Sequence, residues 1–231
     1  MAFFPYIKSA LMDIVFPKVC SLCGMPLSGH QQFICTNCVQ TRFDDAFVTA
    51  EDHLNLPESV KGRLALWQFD KGGYLQDLLH SLKYHRLTGV GIDLGVALAV
   101  KMKQVYKDDA FNISELILLP VPLHPKKRKM RGFNQAYYIA KGIENVFGGQ
   151  ILPKNAVVRT KNTKTQTGFS LEKRRANISD AFKVNDIEWV TGKNIFIIDD
   201  VFTTGATGFE LAQVLKDAGA ESIFIVTVAQ A

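Results

Sequence analysis

The chain has 231 residues, 47% of them hydrophobic and 21% charged, a globular balance too large for a disulfide miniprotein and too apolar for a disordered chain. Its net charge of +5 points to anionic partners without naming them. No apolar run reaches the roughly 18 residues needed to cross a bilayer, and the first residues lack the basic start and small-residue cleavage site of a signal peptide, so the expectation is a cytoplasmic protein.

In chain order, Phe3, Phe4, Ile7, Leu11, Ile14 and Val15 recur at helical spacing until Pro17 closes the segment. This predicts a short amphipathic helix that docks on the body of the protein, with peripheral membrane or partner contact as the alternative. All four cysteines follow within nineteen positions, as Cys20-x2-Cys23 and Cys35-x2-Cys38. Two such knuckles can converge on one ion through four thiolates, the set that suits zinc; the competing reading is a pair of disulfides. A four-cysteine site leaves no open coordination position, so the metal is expected to be structural. His30 lies between the knuckles and is not needed as a ligand.

Residues 48–60 are polar and read as a connection between a small module, 1–50, and a larger one, 51–231. From there strand and helix patterns alternate, which predicts an α/β domain with a mainly parallel sheet flanked by helices. Strands are expected at 64–69, 116–121, 156–159, 181–184, 195–198 and 222–229, and helices at 73–84, 90–106, 133–147 and 206–218. After the 116–121 strand, Val121 and Pro122 open a basic loop. Between His124 and Arg131 it carries Lys126, Lys127, Arg128, Lys129 and Arg131 with no acid. The polar stretch 159–177 is long for an ordered connection and is read as a lid.

Residues 195–207 carry the most chemistry. A buried strand delivers Asp199 and Asp200 to its C-terminal edge, where ligands of open α/β sheets bind. Val201, Phe202, Thr203, Thr204, Gly205, Ala206 and Thr207 then form a small, hydroxyl-rich turn that opens a helix. Its amides, with the hydroxyls of Thr203, Thr204 and Thr207, can surround a phosphate, and Gly205 lets the backbone approach it. Carboxylates beside a phosphate cradle need separate work, such as accepting from ribose hydroxyls or helping to hold magnesium. The implied ligand is a sugar phosphate with vicinal hydroxyls.

Residues 195–207 resemble the phosphoribosyl pyrophosphate (PRPP) motif of type I phosphoribosyltransferases: apolar strand, acid pair, apolar residue, then Thr-Thr-Gly-x-Thr. Within that superfamily the chain resembles the ComF family (ComFC/GntX-like). The shared features include the cysteine knuckles, Leu82-Lys83-Tyr84, Val121 to Pro125, Arg131 to Ala136, and 159–182 with Gln166, Arg174 and Asn177. The resemblance implies a type I phosphoribosyltransferase-like sheet preceded by a small zinc-binding module. It implies PRPP bound with magnesium, Asp199 and Asp200 on the ribose hydroxyls, and Val201 and Thr203 to Thr207 on the 5-phosphate. Val121, Pro122, Lys126 and Arg131 would lie at the pyrophosphate, with Arg159, Gln166 and Arg174 in a flexible hood loop. The implied reaction is glycosyl transfer to an unknown acceptor with release of pyrophosphate. The resemblance also links the chain to DNA uptake in natural competence, so a non-catalytic factor that binds single-stranded DNA, works with DNA-uptake proteins or senses PRPP is the alternative.

Overall fold

The structure, a computed structural model, describes residues 17–46, 56–107, 115–162 and 180–231. The amphipathic segment at the N-terminus, much of the 48–60 connection, and Gln166, Arg174 and Asn177 lie outside the described residues. In chain order the elements are α1 (Thr36–Thr41), β1 (Gly62–Gln68), α2 (Tyr74–Tyr84), α3 (Thr88–Val105), β2 (Leu116–Pro120), α4 (Pro125–Arg131) and α5 (Gln135–Phe147). There follow β3 (Gln150–Ile151), β4 (Val157–Arg159), β5 (Phe182–Val184), a 3-10 turn (Ile187–Trp189), β6 (Asn194–Phe202), α6 (Ala206–Asp217) and β7 (Ser222–Gln230).

Five strands form one parallel sheet in the order β1-β7-β6-β2-β3, as the near-continuous apolar runs require of strands buried on both faces. Strand alternation splits the core in two. Leu116, Leu118, Phe196, Ile198, Phe224 and Val226 pack under α2, α3 and α5. Ile117, Leu119, Ile195, Ile197, Ile223 and Ile225 pack under α6 and the antiparallel β4-β5 hairpin. On the first face, α3 and α5 approach through glycine: a Cβ on Gly142 would lie 2.8 Å from Gly95 Cα and Val96 N.

Cys20, Ile34, Cys35 and Cys38 belong to the same core as α2 and α3. Asp93 of α3, buried at 7% exposure, fixes that junction. Its carboxylate accepts from the backbone amides of Gln32 (3.1 Å), Phe33 (2.7 Å) and Ile34 (2.9 Å). Burial raises the Asp93 pKa and the three amides oppose that shift.

Residues 125–131, read from sequence as a basic loop, form helix α4. His124 Nδ1 caps it by accepting from Lys126 N at 3.2 Å, Pro125 occupies the first turn, and Gly132 ends it at φ 83°. The capping residues outweigh the absence of an apolar face, since none of its residues is buried.

Candidate functional site

At the C-terminal end of β6 the period-2 alternation turns the two carboxylates to opposite faces of the sheet. Asp200 goes to the α2 and α5 side, where it pairs with the Lys83 ammonium and accepts from Gln135 Nε2 at 3.2 Å. Gln135 Oε1 in turn accepts from Arg131 at 3.0 Å, so an unbroken polar chain runs from Lys83 through Asp200 and Gln135 to Arg131. The Arg131 side chain also lies 5.8 Å from the centroid of the Tyr84 ring, and its Nε is buried without a hydrogen-bond partner among the described residues.

Asp199 goes to the other face and lines a small cavity of about 40 Å³. The same cavity is lined by Val121, Val201, Thr203, Thr204, Gly205, Ala206, Thr207 and, across the register from Asp199, Thr227 of β7. The sequence-predicted cradle is therefore brought together as one concavity at the N-terminus of α6. Gly205 has φ 72°, and a Cβ there would run into the Phe202 and Phe209 rings, so both conformation and space demand glycine. Thr204 Oγ1 and Thr227 Oγ1 are buried without partners among the described residues.

The electrostatics follow from this layout. Burial pushes the Asp199 pKa well up, and the neighbouring Asp200 charge adds to the shift. Burial acts on Asp200 in the same direction, but Lys83 outweighs it and holds Asp200 below the usual carboxylate range. Burial likewise opposes the Lys83 charge, and Asp200 with Asp199 raises its pKa above the ordinary lysine value. The acid pair thus holds one firmly ionised carboxylate and one that keeps its proton more readily.

Among the remaining predicted residues, Val121 is buried and its amide donates to Ile198 O at 2.9 Å, extending the β2-β6 ladder. Asn134 Nδ2 donates to the Val121 carbonyl at 3.0 Å, which fixes the turn that Pro122 continues. Lys126 is exposed, whereas its neighbour Lys127 is partly buried, its pKa lowered by burial and by Arg159 and Arg131. Arg159, expected in the flexible loop, is the last residue of β4; it is buried at 9% exposure beside the Phe182 ring, and Asp199 opposes the lowering of its pKa by burial. Lys83, Gln135 and Thr227 received no site role in the sequence reading. Only the Leu82-Lys83-Tyr84 and Arg131 to Ala136 motifs pointed toward the first two.

In the core shared with α2 and α3 the Sγ atoms of Cys20, Cys23, Cys35 and Cys38 lie within 4.8 Å of one another. A tetrahedral site with metal–sulfur bonds of about 2.3 Å has sulfur–sulfur edges of about 3.8 Å, so the four thiols fit one ion. None of the four is in a disulfide, and His30 lies outside the cluster. Amides of Cys35 and Cys38 donate to Cys20 Sγ and Cys35 Sγ, both at 3.4 Å, as in a thiolate knuckle. Burial opposes ionisation of Cys20, but the amides of Cys35, Leu22 and Cys23 win and its pKa falls to about 6. Cys38, buried among the other three, is pushed up to about 12.

The fold and site define an α/β protein with a small threonine- and glycine-lined cavity beside an acid pair at the edge of a parallel sheet, and a four-cysteine cluster ahead of it. No protein-family model matches the chain. It is 29% identical over 221 residues to the DNA utilization protein YhgH of Escherichia coli (strain K12), covering 91% of this chain and 96% of that protein. It is 26% identical to Competence protein F of Haemophilus influenzae, covering 92% and 84%, and 27% identical to Competence protein ComFC of Bacillus subtilis, covering 87% and 72%. The chain is thus a homologue of the ComF, ComFC and YhgH proteins. Among solved structures it is similar to phosphoribosylpyrophosphate synthetase from Mycobacterium smegmatis, at TM-score 0.35 and 15% identity over 59% of this chain and 33% of that one. It is also similar to a hypoxanthine phosphoribosyltransferase from Staphylococcus aureus, at TM-score 0.36 and 10% identity over 60% and 64%. No helix among the described residues is long and apolar enough to cross a membrane.

Proposed function

We propose that the protein binds the magnesium salt of PRPP and transfers its phosphoribosyl group to an acceptor, a glycosyltransferase activity exercised in the cytoplasm and tied to DNA uptake or use. The carrying observation is the cradle, where residues 203–207 and Thr227 line one small cavity with Asp199 and the hydroxyls of Thr204 and Thr227 are buried without partners among the described residues. In this reading the cradle takes the 5-phosphate. Asp199 and Asp200 accept from ribose hydroxyls, and Arg131, Lys127 and Arg159 face the pyrophosphate. The acceptor lone pair forms a bond to C1 while the C1–O bond breaks and its electrons leave on pyrophosphate; the acceptor proton passes to solvent. Fixed cations at the leaving group lower that barrier by preorganised charge, and catalysis needs chiefly positioning.

Residues 1–50 then serve as a zinc-stabilised module on the 51–231 phosphoribosyltransferase-like domain. Zinc in the four-cysteine site supplies crosslinking rather than chemistry. The test is calorimetry with PRPP and magnesium on the full chain: wild type binds, and Asp199→Ala with Asp200→Ala does not. A folded wild type that takes up no PRPP overturns the proposal.

The names of the relatives, DNA utilization and competence proteins, favour a second reading: a non-catalytic factor that binds single-stranded DNA, contacts uptake proteins, or senses PRPP without turnover. Pyrophosphate release in the presence of candidate acceptors separates the two. Release supports the transferase, and tight PRPP binding without release supports the sensor.

A further inference from the structure

A second cavity, about 310 Å³, opens beside the cradle, between the β2-α4 turn, the start of α5 and the β4-β5 hairpin. Val121 lines the cradle, and its neighbours Pro120 and Pro122 line this larger cavity, so the two share the end of β2 as their dividing wall. Arg159, electrostatically coupled to Asp199, lines the larger cavity as well. A molecule bound there lies next to whatever occupies the cradle.

The walls restrict the chemistry of that molecule. Pro122, Phe133, Tyr137 and Pro153 give flat apolar sides, a shape for a ring rather than a flexible chain. Among the described residues the charged ones that line the cavity are Arg128, Lys154 and Arg159, all cationic, and none is an acid. Lys154 Nζ is held 5.5 Å from the centroid of the Tyr137 ring, which places a cation over an aromatic wall. Of the two asparagines that line the cavity, Asn134 uses both ends of its amide within the protein, donating to Val121 O and accepting from Ala136 N, and Asn155 is exposed. Lys127 and Arg131, which we assign to pyrophosphate, do not line the cavity, and Arg159 is shared between the pyrophosphate face and the cavity, so Arg128 and Lys154 are the charges that belong to this cavity alone.

We infer that this cavity is the acceptor subsite and that it takes a planar heteroaromatic ring carrying a carboxylate or phosphate, with Arg128 and Lys154 on the anion and Phe133 and Tyr137 along the ring. The inference deepens the transferase reading and rests on it for the word acceptor.

The experiment titrates the full-length protein, by calorimetry, with a panel of one- and two-ring heteroaromatic carboxylates and the carboxamide of each. PRPP is titrated against the same samples. The expected result is that carboxylates bind at least tenfold more tightly than their amides. Arg128→Gln with Lys154→Gln removes that preference while PRPP affinity stays within twofold of wild type, and Tyr137→Leu weakens carboxylate and amide together. The inference is overturned if no carboxylate binds better than its amide, or if the double variant leaves the preference intact. Because PRPP is measured in parallel, the two ideas fail separately. Carboxylate binding without PRPP binding sinks the transferase reading and leaves an anionic-ring site, whereas PRPP binding without carboxylate preference sinks the subsite alone.

Discussion

Lys83→Met removes the ammonium that faces Asp200 and leaves that carboxylate, 7% exposed, with Gln135 and Asp199 as polar neighbours. Breaking a buried ion pair by removing one partner costs about 3 to 5 kcal/mol. The Lys83 side chain is 23% exposed and partly screened, so a loss of about 2 to 3 kcal/mol is expected, read as a lower urea midpoint. Lys83→Met with Asp200→Asn removes both charges and should recover most of that loss. The pH dependence carries a second signature. Lys83 holds Asp200 below the usual range, so the stability Asp200 contributes is present above the ordinary carboxylate value of about 4 and is lost as pH falls through its lower folded value. Without Lys83, only the hydrogen bonds with Asp199 and Gln135 oppose burial and the Asp200 pKa rises, so PRPP binding should fail at a higher pH on acidification than in wild type. Asp199 has the opposite sign: its raised pKa favours the protonated form, and that contribution is lost as pH rises through the folded value. PRPP binding, which calls on both carboxylates, should therefore release a proton wherever Asp199 is still protonated in the free protein, measured as a buffer-dependent binding enthalpy. A single variant as stable as wild type, a double variant no more stable than the single, or superimposable binding–pH curves would refute the role assigned to Lys83.

The parts of this fold that the sequence shows are those where one strong local pattern rules. Residues 195–198 and 223–226 are apolar because both faces of a central parallel strand are covered, and short runs rich in isoleucine, valine and phenylalanine suit that burial. The cradle was equally legible, since acid pair, threonines and glycine fall in one contiguous turn. The helix at 125–131 was not, because periodicity looks for an apolar face and α4 has none; His124 and Gly132 at its ends were the available sign. The two-residue β3 is too short to have a period. The partners of the acids were hidden for a different reason. Lys83, Gln135 and Thr227 reach Asp199 and Asp200 from other elements, through sheet register and helix packing, and nothing near 199 in the chain announces them. Asp93 is a similar case: one acid in an apolar helix reads as a solubilising residue until the amides of 32–34 are seen to converge on it.

Gly142→Ala would put a Cβ 2.8 Å from Gly95 Cα, inside the usual carbon contact of about 3.5 to 4.0 Å, so α3 and α5 must part; the expected cost is about 1 to 3 kcal/mol in urea unfolding. Gly205→Val forces a β-branched residue to φ 72° against the Phe202 and Phe209 rings, and calorimetry should find PRPP binding abolished at temperatures where the variant is still folded. Wild-type protein should carry one zinc per chain by elemental analysis, and Cys38→Ser should lose it and melt lower. Because the cluster packs on the opposite face of the sheet from the cradle, PRPP binding at low temperature should survive that loss. Asp93→Asn tests what joins the cysteine module to the sheet: the amide keeps one acceptor oxygen and turns an NH2 toward backbone N–H groups that are themselves donors. Hydrogen bonds to a charged group contribute about 1.5 to 3 kcal/mol, so exchange at the amides of Gln32, Phe33 and Ile34 should quicken by about one to two orders of magnitude while β6 and β7 stay protected. Unchanged exchange at those three amides would mean that the shared apolar core, not Asp93, holds the module in place.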